Sequence, residues 1–234
     1  MYRFRLFGSP HLAALGLTVL LSAALVWAGR SRRLAGQQRR LSLYLALLLL
    51  LNELTWQGYL IYHSAWSLTD HLPFHLCDAA VVVSIAALVT QRQRLFELAY
   101  FWGLGGSVQA LLTPGLTLPF PTYEFCRYFI SHSGIVLVVA YLAFGRGLRP
   151  GRGAAWRTIL ITTAYAVAVG ALNRVIGANY MFLCGTPGTP SLLDWLAPWP
   201  WYLLPLAGIG SGVMLLLDLP YYLADRRRRK VAAP

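Results

Sequence analysis

Long apolar runs separated by short polar loops dominate the chain. Seven of them read as membrane-spanning helices: His11–Ala28, Leu43–Tyr62, Phe74–Val89, Phe96–Leu112, Tyr128–Phe144, Trp156–Leu172 and Trp201–Leu219. The third is short, and its first turn is polar. The runs are continuous rather than alternating, which excludes an outer-membrane β-barrel. No internal repeat is visible, so a transporter built from duplicated halves gains no support.

Composition agrees with the pattern. Of 234 residues, 57% are hydrophobic and only 12% are charged, about half the charged share of an ordinary globular chain. A water-soluble enzyme of this size could not hide that much apolar surface. A disordered chain and a secreted disulfide scaffold are excluded by the same arithmetic. The expected fold is all-α: a polytopic membrane protein of about seven helices. Residues 1–225 would form a single transmembrane domain, and residues 226–234 a basic cytoplasmic tail.

Charge sets the expected orientation. The 20 Lys and Arg outnumber 8 Asp and Glu. Sixteen of the 20 lie in the loops after spans one, three and five, including Arg157 just inside span six, and in the tail Arg226–Lys230. Only Arg3, Arg5, Arg127 and Arg174 fall on the other side. Positive charge stays in the cytoplasm, which puts the N-terminus outside and the C-terminus inside the cell membrane. Topology thus accounts for the basic balance, and no nucleic-acid partner is expected. Arg3 and Arg5 before an apolar stretch resemble a signal peptide. The long run, the lack of a clear cleavage site and the five arginines that follow favour a retained helix.

Reactive residues gather on the outer side. All five histidines (His11, His63, His71, His75, His132) and all three cysteines (Cys77, Cys126, Cys184) fall there. The densest stretch is His71-Leu72-Pro73-Phe74-His75-Leu76-Cys77-Asp78. With Thr69 or Asp70 as cap and Pro73 in the first turn, a helix would begin here. His71 and His75 would share one face, and His75 and Asp78 another. Cys77 would lie near the helix N-terminus, where backbone N–H groups favour a thiolate. The same donors could hold an oxyanion or a phosphate. Its base must come from another helix, and His132, one turn inside span five, lies at the matching depth. The bland readings stand beside these: a lone helical histidine is a packing residue, and a lone cysteine a small hydrophobe.

Glu53, within span two, is the deepest acid on this reading. It is either a proton acceptor or histidine orienter, or a neutral acid bonded between helices. Arg174 could grip a lipid phosphate or sit solvated at the interface. Cys126 and Cys184 could pair in an oxidising compartment. His63, His71, His75, Cys77, Asp78 and His132 could offer metal ligands, but no HExxH or CxxC spacing is present, and no metal is expected. In span four, Gly103 and Gly106 suit close helix packing. Gly208, Gly210 and Gly212 read as small-residue packing inside an apolar span.

One set of motifs carries a family resemblance. It comprises Leu72-Pro73-Phe74-His75-Leu76-Cys77-Asp78, Tyr100-Phe101-Trp102-Gly103 with Gln109-Ala110-Leu111-Leu112-Thr113-Pro114, and His132. Gly177-Ala178-Asn179-Tyr180-Met181 and Pro198-Trp199-Pro200-Trp201-Tyr202 complete it. Together they resemble the YwaF-type bacterial integral membrane family, grouped with the vertebrate transmembrane protein 164 family. The resemblance implies a cysteine-dependent acyltransferase or transacylase that moves acyl chains between phospholipids. Cys77 would accept the acyl chain and His132 would be its base, with His75, Asp78 and Glu53 in supporting catalytic roles. Gln109, Asn173, Arg174, Asn179, Tyr180 and Trp199 would line the substrate. Membrane phospholipid is the implied partner, and no cofactor is needed. Two other classes remain open: a transporter or channel with Glu53, Gln57 and Asn173 along a polar path, and a metal-binding or sensor protein.

Overall fold

The computed structural model describes residues 3–188 and 192–232, with side chains to residue 226. The described residues are helical, with no strand among them. Helix α1 spans Ser9–Arg30, and α2 spans Gln38–Tyr62 after a 3₁₀ turn at Arg32–Gln37. Helix α3 spans Leu76–Thr90 and α4 Gln93–Trp102; α4 runs on through a π-helical turn at Gly103–Ser107 into α5, Val108–Leu112. Helix α6 spans Tyr123–Val139 and also ends in a π turn, Ala140–Gly145. Helix α7 spans Ala154–Ile176 and α8 spans Leu203–Ala232.

Among the described residues five helices are long and apolar enough to cross a membrane: α1, α2 with the 3₁₀ turn before it, α6 with its π turn, α7 and α8. Helix α3 is apolar but has 15 residues, a rise of roughly 22 Å against a hydrocarbon core of ~30 Å. It also starts later than the sequence suggests. Residues 71–75 are turns and bends, because each histidine there is drawn into loop hydrogen bonds described below.

The chain divides into two compact units, Met1–His63 with Cys77–Arg149, and Ser64–Leu76 with Pro150–Pro234. In the first, α6 is the central helix. Buried residues make up 72% of its apolar stretch but only 11% of that of α1. Leu17, Val19 and Leu20 of α1 and Leu47, Leu48 and Leu51 of α2 lie open, an apolar surface that suits helices long enough to cross a membrane.

Backbone proximity fixes the packing around α6. A Cβ on Gly29 would lie 2.7 Å from the Gly145 Cα, so α1 and the π turn touch backbone to backbone. A Cβ on Gly103 would meet Ile135 at 2.8 Å and Val139 at 3.0 Å. Gly106 and the Gly208/Gly210/Gly212 series meet nothing within 4 Å. Of these glycines only Gly103 has the packing role the sequence suggests.

Several basic residues close helix ends. Arg30 Nε donates to the Phe144 carbonyl at 2.8 Å, and Arg39 Nη1 to the Val89 carbonyl at 2.6 Å. These arginines satisfy C-terminal carbonyls, in addition to any effect on topology. Glu97 on α4, 3% exposed, pairs with Arg94 at 3.3 Å. It is more buried than Glu53, whose side chain is 19% exposed.

Replacing Gly29 by alanine should destabilise the protein by about 1–3 kcal/mol through overpacking. Gly208→Ala should stay within roughly 0.5 kcal/mol of wild type. Thermal unfolding in detergent checks both.

Candidate functional site

The first unit holds a connected polar cluster among α2, α3 and α6. Arg127, on the second turn of α6, donates from Nη2 to Glu53 Oε2 at 3.2 Å and lies 3.8 Å from Asp78 Oδ1. Its guanidinium also sits 4.8 Å over the Trp56 ring. Ser131, one turn along α6, donates from Oγ to Glu53 Oε1, and Asn52 Nδ2 donates to that Oγ at 3.1 Å. Asn52, Glu53 and Trp56 lie within about one turn of α2, and Arg127 and Ser131 are at i,i+4 on α6, so each helix presents its part of the cluster on one face. Arg127, Glu53 and Asp78 are mostly buried, at 18%, 19% and 25% exposure. One cation between two carboxylates therefore ties three helices.

Cys77 is the second residue of α3, half-buried and a free thiol. It interacts electrostatically with Asp78, Arg127 and Tyr128. His132 is buried on α6, its ring stacked on Tyr128 with centroids 4.1 Å apart. Among the described residues no hydrogen bond joins Cys77 to His132. His132 Nδ1 lies 2.9 Å from the Tyr128 carbonyl. A carbonyl only accepts, so Nδ1 carries the hydrogen and, in the neutral ring, Nε2 carries the lone pair. Tyr128 is itself fixed, donating from its hydroxyl to the Ala110 carbonyl at 2.9 Å.

Residues 6–218 match the sequence model of the TMEM164 family. The chain belongs to that family. An uncharacterized protein of Treponema pallidum (strain Nichols) is 28% identical over 226 residues, covering 96% of this chain and 93% of that protein. No solved structure matches. Family membership and the apolar helices together make this a membrane protein.

Several other candidate residues of this TMEM164-family chain belong to the second unit, where they brace loops. Asn173 Nδ2 donates to the Tyr180 carbonyl at 2.9 Å and its Oδ1 accepts the Tyr180 N–H at 3.0 Å. Asn179 clamps the next turn, accepting from Cys184 N–H and donating to the Gly185 carbonyl, each at 2.9 Å. The buried Tyr180 hydroxyl donates to the Leu68 carbonyl at 2.7 Å and accepts the Leu72 N–H at 2.9 Å. His75 Nδ1 accepts the Met181 N–H at 3.2 Å, and His71 Nδ1 accepts the Ser67 N–H at 3.0 Å. These bonds hold Met181 and Phe182 at φ 58° and 54°, a backbone that non-glycine residues adopt only when their surroundings fix it. In the same loop the Thr69 and Ser67 hydroxyls hold the Asp70 carboxyl below the usual carboxylate range.

The two helical faces expected here, His71 with His75 and His75 with Asp78, therefore do not form, since the helix begins only at Leu76. Trp199 Nε1 is used on the Leu183 carbonyl at 3.0 Å, and Gln109 Nε2 on its own helix end at Thr113, at 2.7 Å. Arg174 is exposed. Cys126 and Cys184 are free thiols rather than a disulfide. Among the described residues no three His, Cys, Asp or Glu side chains converge as a metal site requires.

Arg127, Tyr128 and Ser131 were not singled out as site residues from the sequence. The usable signal was Glu53 itself, since a carboxylate inside a span needs a cation, and Arg127 is the arginine at the outer end of a neighbouring span. Breaking this pair should be costly. Arg127→Ala should lower unfolding free energy by about 3–5 kcal/mol, and Asp78→Asn, at the longer contact, should cost less. Denaturant titration of the purified protein checks the order.

Proposed function

We propose that this chain is a multi-pass enzyme of the cell membrane that moves acyl chains between phospholipids through a thioester on Cys77. The observation that carries the reading is the fixed orientation of His132. Its Nδ1–H is held by the Tyr128 carbonyl, so Nε2 is the nitrogen able to take a proton. Cys77, the second residue of α3, follows the same cluster, since Asp78 beside it faces Arg127 on α6 at 3.8 Å. The seven-span, N-outside arrangement from the charge pattern belongs to the same proposal and sets Cys77 toward the outer leaflet.

The chemistry follows in two balanced halves. Nε2 of His132 takes the thiol proton as Sγ attacks the carbonyl carbon of a phospholipid ester. The bond from that carbon to the glycerol oxygen breaks, and the oxygen leaves with the proton from Nε2. A lysolipid and a Cys77 thioester result. A hydroxyl of an acceptor lipid then gives its proton to Nε2 and attacks the thioester carbonyl. The C–S bond breaks and Sγ recovers the proton. The first turn of α3 has backbone N–H groups without intrahelical acceptors, suited to the carbonyl oxygen as it gains charge.

Glu53 and Asp78 act in this scheme as positioning residues, through Arg127, which holds α3 and α6 in register. His75 keeps the segment before α3 in place. The transporter alternative has no supporting observation, since Glu53 and Asn173 are each bonded within their own unit.

Purified protein exposed to phospholipid should gain a hydroxylamine-sensitive acyl mass, lost in Cys77→Ala. His132→Gln should slow its formation by about 10²–10⁴-fold. Lysolipid acylation that proceeds unchanged in Cys77→Ala would rule the scheme out.

A further inference from the structure

The first unit contains a cavity that the polar cluster does not use. It has a volume of about 590 Å³, within the range of small-ligand sites. One wall is the segment Arg3–Arg5 with the start of α1; the other is formed by Pro119, Phe120, Pro121 and Phe125. Arg3 and Arg5 are exposed, and neither forms an ion pair among the described residues. Arg127, on the same expected side, is taken up by two carboxylates.

The segment that carries the two arginines is anchored. Phe4 between them donates its N–H to the Thr117 carbonyl at 3.0 Å, and its ring lies 5.4 Å from His11 and 6.3 Å from Phe125. The Gly8 N–H closes the turn on the Arg5 carbonyl at 3.0 Å. His11 beneath is fully engaged. Its Nδ1 accepts the Phe7 N–H at 3.0 Å, so Nε2 carries the hydrogen given to the Leu111 carbonyl at 2.8 Å. No carboxylate lines the cavity. Gly8 also leaves the start of α1 without a side-chain cap, so the local field adds to that of the arginines.

The cavity thus joins unpaired guanidinium groups to a phenylalanine and proline wall at the end of two long apolar helices. A small inorganic anion would satisfy the first and leave the second to water. We propose that this cavity holds the phosphate of an anionic phospholipid between Arg3 and Arg5, with its apolar body along Phe120 and Phe125. The site is independent of the acyl-transfer reading.

Native mass spectrometry of the full chain in nonionic detergent tests it, with phosphatidylglycerol, phosphatidylcholine and inorganic phosphate as probes. Wild type should retain one more phosphatidylglycerol than Arg3→Gln/Arg5→Gln, with affinity roughly tenfold or more higher. Phosphatidylcholine should not distinguish the two, and Arg3→Lys/Arg5→Lys should keep most of the binding. The basic tail is common to all variants and cancels. Equal phosphatidylglycerol binding by the glutamine variant overturns the proposal. Displacement of the lipid by equimolar inorganic phosphate overturns the lipid assignment in favour of a free anion. If the glutamine variant fails a thermal-unfolding check, wild-type binding is read against salt. The additional lipid should be lost at high ionic strength, and its persistence overturns the proposal.

Discussion

The site depends on one buried cation. Arg127 sits between Glu53 and Asp78 on helices whose other surfaces are largely apolar. None of the three charges is stable alone in a low-dielectric surrounding, and each is tolerated because the others are present. Hydrophobic contact in lipid supplies little preference for one helix arrangement over another. A charge that must find its partner supplies that preference. Ser131 fills a remaining acceptor site on Glu53, and Asn52 donates in turn to Ser131, which makes the arrangement specific to one rotation of each helix.

That constraint also defines the setting of the thiol. Asp78 follows Cys77 directly, so the contact that docks Asp78 onto α6 also fixes the first turn of α3. On α6 the spacing from Arg127 to Tyr128, Ser131 and His132 puts the anchor, the imidazole and the ring stacked on it within about one and a half turns. The segment entering α3 is held in the second unit by bonds to the hydroxyl of Tyr180 and the ring of His75. The motif residues therefore include two kinds: Cys77 and His132, on which the proposed chemistry rests, and a set in the second unit that keeps loops in unusual backbone conformations.

The all-helical architecture was legible in the sequence because long apolar runs have few physical alternatives. Cys77 at the start of a helix and His132 inside one were legible for the same reason, since both follow from where hydrophobicity begins. The helix start itself was misplaced. Pro73 and the capping residues suggested a beginning near residue 70, but His71 and His75 bond to loop N–H groups, which a periodicity argument cannot reveal. Asn173 and Asn179 looked like substrate contacts because polar residues in an apolar chain attract that reading. Both amides are spent on backbone groups within eight residues, a local role hidden until the loop is folded. Arg127 was hidden by being counted as one of a population of topological charges. Glu97 was overlooked because the inner ends of the spans looked uniformly basic, whereas its carboxylate is buried under its own helix by Arg94 and Gln93.

The π turn at the end of α6 has a consequence for how this sequence tolerates length change. There the Arg146 N–H reaches back to the Tyr141 carbonyl at 2.8 Å, so the turn accommodates one residue beyond ordinary helical winding. Removing a single residue from this wide turn would let it relax to regular geometry without rotating the chain on either side. The backbone approach of Gly29 to Gly145 would survive the shortening only with glycine kept at both positions. A one-residue gap at this point in a homologous chain should therefore still leave a glycine opposite it on α1, so length can vary here where side-chain size cannot.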